Sequence, residues 1–107
     1  MADLGRYDDA SIVVFSGDLD VYRAGEVRMA LERAQNEPRL IVDMREVHTV
    51  SAAVLTEFVR VHKHRLERKL EPPRLVVTSP GVRRIFDITQ LSKLWPFFTS
   101  VEDASMP

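Results

Sequence analysis

Three short apolar runs rich in β-branched residues recur along this chain: Ser11–Ser16 (SIVVFS), Leu40–Val42 and Leu75–Val77. None shows helical spacing, so each reads as a strand buried on both faces. Between them lie stretches with apolar residues at steps of three and four, the mark of amphipathic helices. Apolar strands alternating with such helices imply a largely parallel sheet covered by helices. Right-handed crossovers leave few ways to connect them.

The first helical stripe is Ala24, Val27, Leu31 and Ala34. Gly17 to Asp20 reads as the turn before it, and Asp20 as its N-cap. Gly25 costs about 1 kcal/mol relative to alanine, so it marks close packing or a loosely started helix. After Leu40–Val42, Asp43 stands at the C-terminal end of the strand and Arg45 to Val50 read as a connection. Ser51 then caps a second helix with the stripe Leu55, Phe58, Val59, His62, Leu66 and Leu70. Its C-terminal half carries Lys63, His64, Arg65, Arg68 and Lys69, which suit the negative end of the helix dipole.

Ser79-Pro80 announces a third helix, with Val82, Ile85, Phe86 and Thr89 inward. Leu94 to Phe98 reads as a last short strand, and Pro96 within it indicates an edge. Tyr7 fits a preceding edge strand, and Ser100 to Ala104 a terminal helix. The expected fold is one α/β domain over residues 1–107. It has a four- to five-stranded, mostly parallel sheet covered by about four helices.

A chain of 107 residues with 45% hydrophobic and 29% charged residues suits one globular domain. No cysteine is present, which excludes disulfides, thiolate metal sites and cysteine nucleophiles. The formal net charge of −1 gives no global attraction to nucleic acid or anionic membrane. The N-terminus lacks the pattern of a signal peptide, and no apolar run approaches the roughly 20 residues a membrane helix needs. These features suggest a protein without membrane insertion that stays in the cytoplasm.

Signatures of chemistry are sparse. Neither GxGxxG nor GxxxxGK[ST] occurs, so no phosphate-cradling loop is expected. His62 and His64 stand two apart on a helix and cannot form the i, i+4 pair of helical zinc sites. His62 lies on the apolar stripe and reads as a core histidine. Asp18, Asp20 and Asp43 are the carboxylates placed to meet at the C-terminal sheet edge, where open α/β sheets usually bind ligands. They read either as a ligand or magnesium site or as turn, cap and strand-end residues. Arg83-Arg84 with the basic half of the second helix forms either an anion receptor or a solvated face. Trp95, Phe97 and Phe98 form either a binding strip or core closure.

Several segments, in order along the chain, match one family. Ile12 to Asp20 (IVVFSGDLD) resembles the V-x-L-x-G-E-L-D opening of STAS domains, the sulphate-transporter and anti-sigma-factor-antagonist family. Leu40-Ile41-Val42-Asp43-Met44 with Val47 resembles its L-V-L-D-L-S-x-V strand. Val82 to Leu91 (VRRIFDITQL) resembles its V-R-R-V-L-x-L-T-G-L helix, and Trp95 to Ala104 its ending.

The resemblance implies a non-enzymatic protein-binding regulator without cofactor, metal or catalytic residues. In that family an Asp-Ser-[Ser/Thr/Ala]-Gly-Leu motif opens the second helix. Its serine is phosphorylated by a partner kinase that is often itself an anti-sigma factor. Here the motif falls on Ser51-Ala52-Ala53-Val54-Leu55. The leucine is kept, but Ala52 replaces the acceptor and Val54 the glycine. Ala52 has no hydroxyl to modify. Ser51, one residue early, is either a second-choice phosphorylation site or simply a cap.

The implied partner face comprises Asp18, Leu19, Asp20, Ser51, Ala52, Ala53, Thr56, Glu57 and Arg60. Its implied partner is an anti-sigma factor kinase or another STAS protein, with a homodimer as a further possibility. Two other functions compete. One is a small cytoplasmic subunit that binds the ATPase of a lipid-transport ABC system. The other is nucleotide or small-ligand binding at Asp18, Asp20 and Asp43.

Overall fold

A computed structural model describes residues 4–107. The strands are β1 (Leu4–Tyr7), β2 (Ala10–Leu19), β3 (Leu40–Val50), β4 (Arg74–Val76) and β5 (Phe97–Phe98). The helices are α1 (Ala24–Ala34), α2 (Ala52–Glu67), α3 (Pro80–Ile88) and α4 (Val101–Ala104). Short 3₁₀ turns, Val21–Arg23 and Leu91–Lys93, precede α1 and follow α3.

The sheet runs β1-β2-β3-β4-β5 in space as in sequence. Strand β1 is antiparallel to β2, and the remaining pairs are parallel. Helices α1, α2 and α3 contribute to one apolar core beneath a single sheet face. Right-handed crossovers stepping in one direction across a sheet produce that one-sided cover. Helix α4 packs against Ala10, Ile12, Ile41 and Val76 in a second, smaller core. The mixed, mostly parallel sheet and four helices agree with the sequence expectation.

Several local expectations are corrected. Arg45 to Val50 are not a connection but the second half of β3, paired with β2 as far as Leu19 opposite Val50. Val14 opposes Asp43 while Ser16 opposes Glu46, and Gly17 opposes Val47 while Asp18 opposes Thr49. Strand β3 therefore carries an extra residue at two places, as β-bulges do. The bulges change its burial period from two to three, so Met44, Val47 and Val50 all face the core. Likewise Gly17 to Leu19 are strand, not turn. The positive φ of 79° at Gly17 is where β2 bends.

On α2 the inward residues are Val54, Leu55, Phe58, Val61 and Arg65. Leu66 is not among them; it is 65% exposed. Arg65 is fully buried. Its Nε donates to the Glu71 carbonyl at 2.8 Å, and its terminal nitrogens to those of Gln35, Glu37 and Pro38 at 2.6–3.2 Å. The guanidinium thus closes the α1–β3 loop and the α2–β4 loop together, instead of resting on the helix dipole. Among the described residues no neighbouring element comes within 4 Å of where a Cβ on Gly25 would sit, so the glycine does not mark close packing. The last strand shrinks to Phe97–Phe98, because Leu94 to Pro96 are turn and irregular backbone that leads out of the 3₁₀ turn Leu91–Lys93.

Candidate functional site

The site forms where β2 and β3 end together. The Ser51 amide donates to the Leu19 carbonyl at 2.8 Å, which fixes the start of α2 beside the β2–α1 loop. Ser51 is the N-cap as expected, its hydroxyl accepting from the Val54 amide at 3.3 Å. Asp20 caps not α1, as expected, but the 3₁₀ turn before it, its carboxylate accepting from the Tyr22 amide at 3.0 Å. Both caps satisfy amides that a helix start leaves without intrahelical partners.

Arg23 locks the loop from within. Its guanidinium donates to the Ser16 carbonyl at 2.6 Å and the Asp18 carbonyl at 3.3 Å, and to Glu26 at 2.8 Å and 3.2 Å. The hydrogen bond from Arg23 lowers the Glu26 pKa below the ordinary value, and Glu26 raises that of Arg23. Both stay ionised at neutral pH, and the half-buried guanidinium spends its donors within the chain.

Of the residues expected in a partner face, Asp18, Asp20, Ala52, Thr56 and Arg60 are exposed, with Ser51, Ala53 and Glu57 partly so. Leu19 is completely buried and belongs to the core, so it offers no contact surface. Thr56 donates to the Ala52 carbonyl at 3.1 Å, and Arg60 pairs with Glu57 at 3.0 Å. Asp18 lies 3.9 Å from His48. The sequence reading missed two neighbours. Val21 is 58% exposed and Tyr22 92% exposed, directly after Asp20. An aromatic residue between a cap and the first residue of the buried stripe was the available signal.

The three expected carboxylates do not converge. Asp43 sits within β3, not at its end, and is only 5% exposed. Arg45 holds it through 2.9 Å and 3.0 Å side-chain bonds, and the pair raises the Arg45 pKa. Asp18 stands beyond both bulges, opposite Thr49. Among the described residues no group of three or more acidic, histidine or cysteine side chains is arranged to hold a metal ion. Nor is any helix there long and apolar enough to cross a membrane.

The aromatic residues close the core. Trp95 is buried and meets Phe58, His62 and Phe86 edge-on at 5.8–6.2 Å. Phe97 lies under Arg83, whose guanidinium carbon is 4.2 Å from the ring centroid. Arg83 also pairs with Asp87 at 3.3 Å, while Arg84 is exposed.

This arrangement of a bulged β2–β3 pair, a capped α2 and a terminal α4 corresponds to a known family. The STAS domain family model matches residues 1–104, and the chain belongs to that family. An anti-sigma factor antagonist from Mycobacterium paratuberculosis shares the fold with TM-score 0.83 and 24% identity, over 97% of this chain and 89% of that one. A STAS-domain anti-sigma-factor antagonist from Planctomyces limnophilus gives 0.80 and 14%, over 96% and 92%. The phosphorylated form of SpoIIAA, a Bacillus cell fate determinant, gives 0.67 and 14%, over 97% and 96%. At these identities the structural likenesses establish the fold.

Proposed function

We propose that this chain is a non-enzymatic docking module of a cytoplasmic partner-switching system, binding a serine-kinase-type anti-sigma factor or a related STAS protein. One observation carries the reading: the exposed first residue of α2 is Ala52, at the position where the resemblance puts the phosphoacceptor. The surrounding frame is kept, with Ser51 as cap and the Asp18–Tyr22 loop bonded alongside. A phosphoryl group adds about −1.5 to −2 charges, enough to disrupt an interface at such a tip. With a methyl group there, docking is constitutive or controlled through the partner. The Ser51 hydroxyl is occupied as a cap and is not needed as an acceptor.

The test uses the purified kinase encoded nearest the gene in its host. Binding by calorimetry, with no phosphate on the chain after incubation with ATP, supports the reading. Ala52→Glu is expected to weaken binding at least about tenfold, since a charge at the centre of an interface is costly. Stoichiometric phosphate on Ser51 would falsify the constitutive form. Absence of binding, with capture of an ABC-system ATPase instead, favours the transport-accessory reading.

A further inference from the structure

We propose that two copies of this chain associate by placing Tyr22 of one copy in a hollow on the α2 surface of the other. The ring of Tyr22 stands 92% exposed, with Val21 58% exposed beside it. Together they put an aromatic ring and a β-branched side chain side by side on the surface, the kind of amphipathic anchor that interfaces favour. The backbone that carries it is held, since Asp20 caps the Tyr22 amide and Arg23 donates to the carbonyls of Ser16 and Asp18. A fixed backbone lowers the ordering cost of binding, which leaves mainly the ring's own rotamers to be ordered.

A receptor for it lies on the outer face of α2. Thr56, Val59, Arg60 and Lys63 line an open hollow of about 220 Å³, room for an aromatic ring. Leu66, 65% exposed, lies two turns beyond Val59 and extends the apolar strip. Charge matches across the contact. Tyr22 follows the exposed Asp18 and Asp20 in the chain, and the hollow is lined by Lys63 and Arg60. Arg60 spends one N–H on Glu57 and keeps others to donate. Glu57, paired with Arg60, and Glu67 are the acidic neighbours, and Lys63 with exposed Arg68 and Lys69 keeps this face net positive. Cations beside a tyrosine face add a cation–π contribution.

Ring and hollow are different parts of the surface, so the contact closes as a reciprocal pair or repeats head to tail. It would cover Thr56 and Arg60 and therefore compete with partner docking. It does not depend on the partner reading, because the isolated chain tests it.

Sedimentation velocity at low salt is expected to show species larger than the monomer at concentrations up to the order of 1 mM, dissociating as salt screens the charges. Tyr22→Ala and Lys63→Glu are each expected to raise the dissociation constant at least about tenfold while leaving thermal unfolding unchanged. The chain has no cysteine, so Tyr22→Cys mixed with Lys63→Cys should give a disulfide joining those two positions in separate molecules. A monomer throughout overturns the proposal. So does association that neither substitution weakens, or the absence of the mixed disulfide from the oxidised mixture.

Discussion

The indole Nε1 of Trp95 donates to Nδ1 of His62 at 3.1 Å. The two rings meet edge-on, with centroids 5.9 Å apart. Only an imidazole with Nδ1 unprotonated accepts this bond, so the proton of the neutral ring resides on Nε2.

Burial lowers the His62 pKa below its ordinary value. On acidification the unfolded chain therefore takes up this proton first, near pH 6.5. Stability contributed by the neutral ring is complete above that pH and is lost as pH falls toward the lowered folded value. Urea unfolding at pH 7.5 and pH 5 should show wild-type stability falling more than that of His62→Gln. Equal losses in the two proteins would remove His62 from the pH response.

Arg65 makes a second stability prediction. Its burial among four backbone carbonyls, with no carboxylate in hydrogen-bond contact, makes it a cross-brace between two loops. Burial lowers its pKa, yet an arginine remains charged at any physiological pH. Arg65→Met fills similar volume but leaves those acceptors without a donor. The expected cost is roughly 3 kcal/mol or more. For a domain of this size that lowers the melting temperature by about 10 °C or more. Arg65→Lys should recover only part of it, because an ammonium cannot match the planar fork.

The caps allow a finer test at the tip. Ser51→Ala removes the bond to the Val54 amide and should cost about 1 kcal/mol or less, given its 3.3 Å length. Ser51→Asp should be neutral or slightly stabilising, because a carboxylate both caps and suits the positive helix end. If Ser51→Asp stays folded yet loses partner binding, the tip is a docking surface and not only a structural joint.

How legible this was in the sequence depended on the period of burial. Helices α1 and α3 kept an ordinary stripe, and α3 an explicit Ser79 cap, so Val27, Leu31, Val82 and Phe86 were placed inward correctly. Strand β3 failed because two bulges replaced alternation by a spacing of three at Met44, Val47 and Val50, which looks helical or irregular. Asp43 was misplaced for the same reason, since the strand continued past it. On α2 the error was chemical: an arginine was read as a surface charge and a leucine as core. The backbone carbonyls that hold Arg65 come from loops whose approach no local pattern encodes. At the tip, the cap and the missing acceptor were visible in the chain, while Tyr22 gave only its place between the cap and the buried stripe as a sign.

Gly17 joins the bend in β2 to the turn that carries Tyr22. Its φ of 79° is unfavourable for any residue with a side chain, and a Cβ would come within 3.3 Å of the Arg23 guanidinium. Gly17→Ala should therefore destabilise by about 1–2 kcal/mol through the left-handed backbone. It should also push Arg23 off the carbonyls of Ser16 and Asp18, which the same guanidinium holds. Urea unfolding measures the first effect. Amide exchange measures the second, as faster exchange confined to Asp18–Arg23 while β4 and α3 stay protected. If the loop keeps wild-type protection, Arg23 is not what makes the Tyr22 anchor rigid.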